Sequence, residues 1–188
     1  ITRRQFLRMA AYAAAATGVS QFDIHKLNKA LAAVGDNIPV IWFEGLGDSG
    51  CVVSLANYFD GTNGIDYHLL NTIELKFNSV LMGASGQLAI DEAEKVYQGT
   101  PPYDQPFVLV LTGAMTNIDG YCIVGQDSGN GLMQLVDSFS RWEEQAAYVL
   151  LVGSCACYGG VNTIGGNTNH NVPWSSPPNH NGAPTYDL

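Results

Sequence analysis

Apolar residues fall into short unbroken runs, separated by Gly-, Pro- and Asn-rich breaks, with amphipathic stretches between them. Val40 to Phe43 is the first run, closed by Glu44 and followed by a turn at Gly45, Gly47 and Gly50. Cys51 to Phe59 predicts a helix, and Asp60-Gly61-Thr62-Asn63-Gly64 stops it. Tyr67 to Phe77 predicts a weaker strand region. Leu88, Ile90, Ala93 and Val96 place one apolar face on a helix within Ala84 to Tyr97. Phe107 to Leu111 is continuously apolar, as expected of a strand covered on both faces. It empties into a long loop, Thr112 to Gly125. Leu132 to Ala146 predicts an amphipathic helix, Ala147 to Val152 a further buried strand, and Gly153-Ser154-Cys155 leaves that strand's end.

Strand, loop and helix thus alternate, with crossovers long enough for right-handed parallel units. The fold class expected is α/β, a flavodoxin-like doubly wound parallel sheet over residues 37–162. Residues 1–36 read as an N-terminal signal helix and linker. Residues 163–188, nearly uncharged and rich in Asn, Pro and Gly, read as an irregular extended tail. In such sheets ligands bind at loops leaving the carboxyl ends of strands, which is where Cys51, Cys122 and Cys155 fall.

Composition narrows the chemistry. The 188 residues include 8 basic and 17 acidic side chains, a net charge of −9. That balance argues against nucleic acid as a partner, because phosphate binding needs clustered Lys and Arg. Four cysteines are too few for a disulfide scaffold in a chain of this size.

At the front, Thr2-Arg3-Arg4-Gln5-Phe6-Leu7-Arg8 precedes a small apolar stretch, Met9 to Val19. The paired arginines resemble a twin-arginine export signal, with Ala30-Leu31-Ala32 as a small-residue cleavage site. The apolar stretch is short and alanine-rich against the roughly 20 residues a membrane span requires. Because the chain begins at Ile1, residues are expected to be missing ahead of it.

Asp48, Cys51, Cys122 and Cys155 can supply four anionic ligands. Thiolates suit zinc or iron–sulfur clusters. Structural zinc prefers closely spaced ligand pairs, which positions 51, 122 and 155 do not offer, so a cubane cluster held from several loops fits better. Glycines near each thiol (Gly50, Gly120 and Gly153) would let backbone approach such a cluster. Local structure offers other uses: Asp48 as the cap of the helix near Cys51, Cys51 and Cys122 as buried apolar groups or a disulfide.

Three stretches resemble the small subunit of nickel–iron hydrogenases. They are Trp42-Phe43-Glu44-Gly45 with Asp48-Ser49-Gly50-Cys51, then Asp119 to Gly125 around Cys122, then Gly153-Ser154-Cys155-Ala156-Cys157-Tyr158-Gly159-Gly160-Val161. The twin-arginine segment looks like that of the membrane-bound and periplasmic members. The resemblance implies a domain holding one proximal [4Fe–4S] cluster on Asp48, Cys51, Cys122 and Cys155. It faces a nickel–iron centre on a hydrogenase large subunit. Asp48 replaces the first Cys of the usual Cys-x-x-Cys, as in some branches of the family. Cys157 matches no standard ligand position and is the substitute should Asp48 not bind iron. Gly50 stands where oxygen-tolerant membrane-bound members carry an extra Cys. Glu44 lies near where the family places its cluster, and a carboxylate there could move protons; an ordinary strand-end hydrogen bond is its other use.

The resemblance further implies a hetero-oligomer exported by the twin-arginine route to the periplasm or the outer face of the cytoplasmic membrane, with membrane association. No ligands for medial and distal clusters follow Cys157, and the expected Pro-Asn-Pro-Thr run is absent. Either the chain is a fragment or electrons pass on through a further subunit. Two other readings keep the fold: a cluster-free interaction protein, and a cluster subunit like that of respiratory complex I. Members of the latter carry adjacent cysteines in the first loop, which are missing here.

Overall fold

The computed structural model describes residues 37–101, 106–127, 131–163, 171–172 and 185–187. The signal segment, with its cleavage site, lies outside the described residues, as does most of the tail.

The centre of the molecule is a five-stranded parallel sheet. Its strands are β1 (Ile38–Glu44), β2 (Ile73–Asn78), β3 (Val108–Thr112), β7 (Tyr148–Val152) and β9 (Thr185–Asp187), in the order β2-β1-β3-β7-β9. Counted along the sheet's own strands this is 2-1-3-4-5, the flavodoxin-like order, so the fold expected from the sequence is the fold found. The chain reverses direction across the sheet between β1 and β3, which places the crevice at their carboxyl ends.

β1 is buried on both faces, and its side chains alternate between two cores. Ile41 and Phe43 join the larger one, with Ile90, Ala93 and Val96 of α3 (Gln87–Tyr97) and Phe139 and Trp142 of α4 (Leu135–Glu143). Val40 and Trp42 face the smaller one, with Val52 of α1 (Gly50–Ala56). Helices on both faces are what a continuous apolar strand demands.

Several boundaries differ from the sequence expectation. Tyr67 to Phe77 divides into a helix, α2 (Ile65–Asn71), and then β2. His68 of α2 is buried between the rings of Tyr58 and Tyr67, at 5.6 and 5.5 Å. The loop after β3 holds two short strands, β4 (Met115–Thr116) and β5 (Ile123–Gln126). Leu132–Gln134 forms β6, which pairs antiparallel with β5 ahead of α4. The tail contributes β8 (Asn171–Val172) against β4, and β9 as the sheet's edge strand. At two to four residues each, these strands are too short to show an alternation.

The β5–β6 hairpin, which follows Cys122, is clamped to α3. Gln87 donates through Nε2 to the Gln126 carbonyl at 2.9 Å and accepts from the Gln126 amide at 2.9 Å. A Cβ on Gly125 would stand 2.7 Å from Ile90, so the hairpin backbone lies directly on the helix. Gln87→Ala is expected to cost about 1 kcal/mol. It should also speed hydrogen exchange at the Gln126 amide; unchanged exchange there would show that the clamp is not what holds the hairpin.

Candidate metal-cluster site at the sheet's carboxyl edge

The loops leaving β1 and β3 are stitched together. Gly45 N–H donates to the Thr112 carbonyl at 2.7 Å, Leu46 N–H to Ala114 at 2.7 Å, and Ala114 N–H back to Leu46 at 2.9 Å. The approach leaves no room for side chains: a Cβ on Gly45 would lie 2.2 Å from the Ala114 carbonyl oxygen. Beneath them, Trp42 Nε1 donates to Thr112 Oγ1 at 3.0 Å, tying β1 to β3 just before both loops begin.

Helix α1 starts at Gly50, one residue before Cys51. Ser49, ahead of it, has φ 60°, uncommon for a residue with a side chain. Gly50 N–H donates to Asp48 Oδ1 at 2.9 Å, but the N-cap is Ser49 and makes no side-chain cap bond. Asp48 thus braces the turn ahead of the helix through one of its two oxygens rather than capping it. The Cys51 thiol reaches across to the third loop, where its sulfur lies 3.8 Å from the Val152 carbonyl oxygen. Its pKa is raised, first by burial and then by the negative charges of Asp48, Cys155 and Glu44. Thus Asp48, Glu44 and Cys155 all bear on the Cys51 thiol, which bridges two loops 101 residues apart at their contact.

Glu44 ends β1 opposite Thr112. Both its carboxylate oxygens are shielded from solvent without a hydrogen-bond partner, so the strand-end hydrogen bond considered for it is not made. A buried carboxylate without a partner is costly to keep, and such groups concentrate where chemistry uses them.

Cys122 comes from the loop between β4 and β5. It has φ 55°, packs against the larger core and has its thiol pKa raised by burial alone. Leu135 connects it to the first loop: its N–H donates to the Cys122 carbonyl at 2.9 Å, and a Cβ on Gly45 would meet its side chain at 3.3 Å. Cys157 is 2% exposed, with its sulfur 3.6 Å from the Leu151 carbonyl. That places it in the core beneath α5 (Ser154–Tyr158), away from the loop surface that carries Cys155.

No disulfide joins the four cysteines. Among the described residues no three His, Cys, Asp or Glu side chains converge tightly enough for a single metal ion. An iron–sulfur cage asks for something different, with each thiolate on its own iron around a larger body. The structure brings the Cys51 thiol onto the loop that carries Cys155, while Cys122 is linked to the first loop only through Leu135. Partly buried thiols on separate loops are the donor type such a group takes.

Of the glycines expected to open the site, only Gly153 does so: a Cβ there would lie 2.8 Å from the Cys51 sulfur. At Gly120 a Cβ would meet nothing, and at Gly50 it would meet the Asp48 carboxylate. Sequence reasoning gave Gly160 no role, yet a Cβ there would stand 2.4 Å from the Cys155 sulfur. The adjacent pair Gly159-Gly160, both at positive φ, was the available signal.

Comparison with known proteins agrees with the fold and the loops. The family model described as NADH ubiquinone oxidoreductase, 20 Kd subunit, matches residues 49–186. The periplasmic [NiFeSe] hydrogenase small subunit of Desulfomicrobium baculatum is 30% identical over 176 residues, 89% of this chain and 53% of that one. The hydrogenase-2 small chain of Escherichia coli K12 is 29% identical over 203 residues, covering 96% and 50%. Among solved structures, the recombinant [NiFeSe] hydrogenase of Desulfovibrio vulgaris Hildenborough superposes with a TM-score of 0.71 at 31% identity. That match covers 82% of this chain and 54% of the other. The chain spans about half the length of the curated relatives it matches.

Proposed function

Because the chain belongs to the family of the NADH ubiquinone oxidoreductase 20 Kd subunit and is kin to hydrogenase small subunits, we propose that it is the electron-transfer subunit of a nickel–iron hydrogenase. One proximal [4Fe–4S] cluster is held by Asp48, Cys51, Cys122 and Cys155. When bound, such a cluster supplies one-electron storage close to a partner's active centre. The observation that carries this reading is the reach of the Cys51 thiol across to the exit of β7, which brings the first and third loops onto one wall.

The protein's own residues divide the work. Cys51, Cys122 and Cys155 are the soft donors. Asp48 keeps Oδ2 available while Oδ1 takes the Gly50 amide, and so completes the set as a harder ligand. Cys157, spent in the core, stays outside it. Glu44, shielded and without a hydrogen-bond partner, is the group suited to hold or pass a proton beside the thiols. Tyr121, Tyr158 and Val161, each more than 60% exposed and close in sequence to a thiol, suit a face covered by another subunit. That subunit is the hydrogenase large subunit carrying the nickel–iron centre, and a further electron-carrying subunit takes the electrons onward. Export by the twin-arginine route to the periplasm or the outer face of the cytoplasmic membrane, with membrane association, completes the proposal. Among the described residues no helix is long and apolar enough to cross a membrane.

The test is anaerobic purification through a tag on this chain. The expected result is a co-purifying large subunit containing nickel, and hydrogen-dependent reduction of a viologen dye. A chain recovered without nickel, iron or hydrogen-dependent reduction would overturn the reading. Asp48→Cys addresses the ligand set separately: it should keep a cluster but shift its reduction potential, and an unchanged potential and spectrum would remove Asp48 from the set.

A further inference from the structure

We propose that Gly153 and Gly160 are positioning residues for the thiols of Cys51 and Cys155, the missing side chain of each forming the seat of one sulfur. The inference rests on the cluster reading above and adds to it two residues that bind nothing themselves.

Gly153 follows β7 and caps α5 with φ 87° and ψ 158°, a backbone conformation essentially confined to glycine. Its would-be Cβ position lies 2.8 Å from the sulfur of Cys51, a residue from the other side of the β1 loop, and, its two chain neighbours aside, no other described atom comes within 4 Å of it. The site is therefore not generally crowded; the thiol alone fills it. With the Val152 carbonyl 3.8 Å from the same sulfur, the seat fixes how far the first loop's thiol advances over the third loop. Gly160, at φ 56°, does the same for Cys155 from the opposite end of α5. A Cβ there would stand 2.4 Å from the Cys155 sulfur and 2.9 Å from its Cα. Two glycines bracketing one short helix thus set the places of two thiols from two loops. A methyl group at either would displace a sulfur, and ligands shifted in this way lose cluster affinity.

The control is Gly86, ahead of α3, which also has positive φ (61°) but whose Cβ would meet nothing within 4 Å. In anaerobically purified complex, Gly153→Ala is expected to lower acid-labile sulfide per chain about tenfold, the scale seen when groups supporting metal ligands are lost. Gly160→Ala should change the electron paramagnetic resonance spectrum of whatever cluster remains. Gly86→Ala should leave both as in wild type. Full sulfide and an unaltered spectrum in the two seat variants would overturn the proposal, and so would equal losses in Gly86→Ala. Should Gly153→Ala be recovered only as insoluble protein, the double variant with Cys51→Ala decides. Soluble recovery on removing the thiol supports the seat, and continued insolubility assigns the defect to the backbone and overturns it. A wild-type complex without sulfide would sink the cluster reading instead. The seats would then be judged by iodoacetamide labelling of Cys51, faster in Gly153→Ala if the thiol has been displaced and equal to wild type if the proposal is wrong.

Discussion

Cys51→Ala is expected to remove about four acid-labile sulfides per chain, the content of one cubane cluster. Cys155→Ala should do the same, because the Cys51 thiol lies against the exit of the strand that leads into Cys155. The structure supplies the contrast that makes this more than a cysteine effect. Cys157 is only two residues from Cys155 but turns into the core, where its sulfur meets the Leu151 carbonyl. Cys157→Ala should therefore keep the sulfide and lose roughly 1 kcal/mol of stability from the core. Sulfide content and thermal melting of the three variants, measured side by side, check the assignment. Loss of sulfide in Cys157→Ala with retention in Cys155→Ala would reverse the roles.

Trp142→Ala carries the largest expected effect on stability. Its side chain is fully buried, 4.7 Å from the ring of Phe43 and 6.1 Å from that of Tyr97. Its Nε1 donates to Glu94 Oε1 at 3.0 Å, and Arg141 pairs with the same carboxylate while lying 4.8 Å over the Tyr97 ring. Truncation opens a cavity beside Phe43 and removes one of the bonds that hold Glu94 between α3 and α4. The expected cost is about 3–5 kcal/mol. For a domain of this size each kcal/mol lowers the melting midpoint by about 2–4 °C, so a fall of roughly 6–20 °C should follow. Phe43 immediately precedes Glu44 and the first loop, so the same variant should also loosen the site. A midpoint shift below about 2 °C would mean that the aromatic cluster is not the centre of the core.

The sheet was legible because its inner strands are fully apolar. Val40 to Phe43, Phe107 to Leu111 and Ala147 to Val152 could be placed by composition alone, and each emerged as a neighbouring strand in the expected fold. The segment from Tyr67 to Phe77 was not, because α2 exposes Tyr67 and Leu70 while burying His68, which blurs any helical face. The same holds for the β5–β6 hairpin, whose strands are short and largely surface-facing. At the site, the cysteines and Asp48 stood out by residue type and by the loops that carry them. Which cysteine faces the loops and which the core was not visible, since Cys155 and Cys157 differ only by their position on a single turn of α5. Nor was the Gly153 seat, because what makes it matter is a sulfur contributed from about a hundred residues away; the Gly160 seat faces the nearby Cys155 and depends on the turn that ends α5.

Acid-labile sulfide per chain in anaerobically purified protein decides whether these loops hold a cluster. Iron is the weaker measure, since a partner's nickel–iron centre would add to it. At least about four sulfides per chain are expected, falling by about four when Cys51 is replaced by alanine. A wild-type chain with no sulfide and all four thiols open to alkylation after unfolding would contradict it, leaving an interaction protein on a flavodoxin-like sheet.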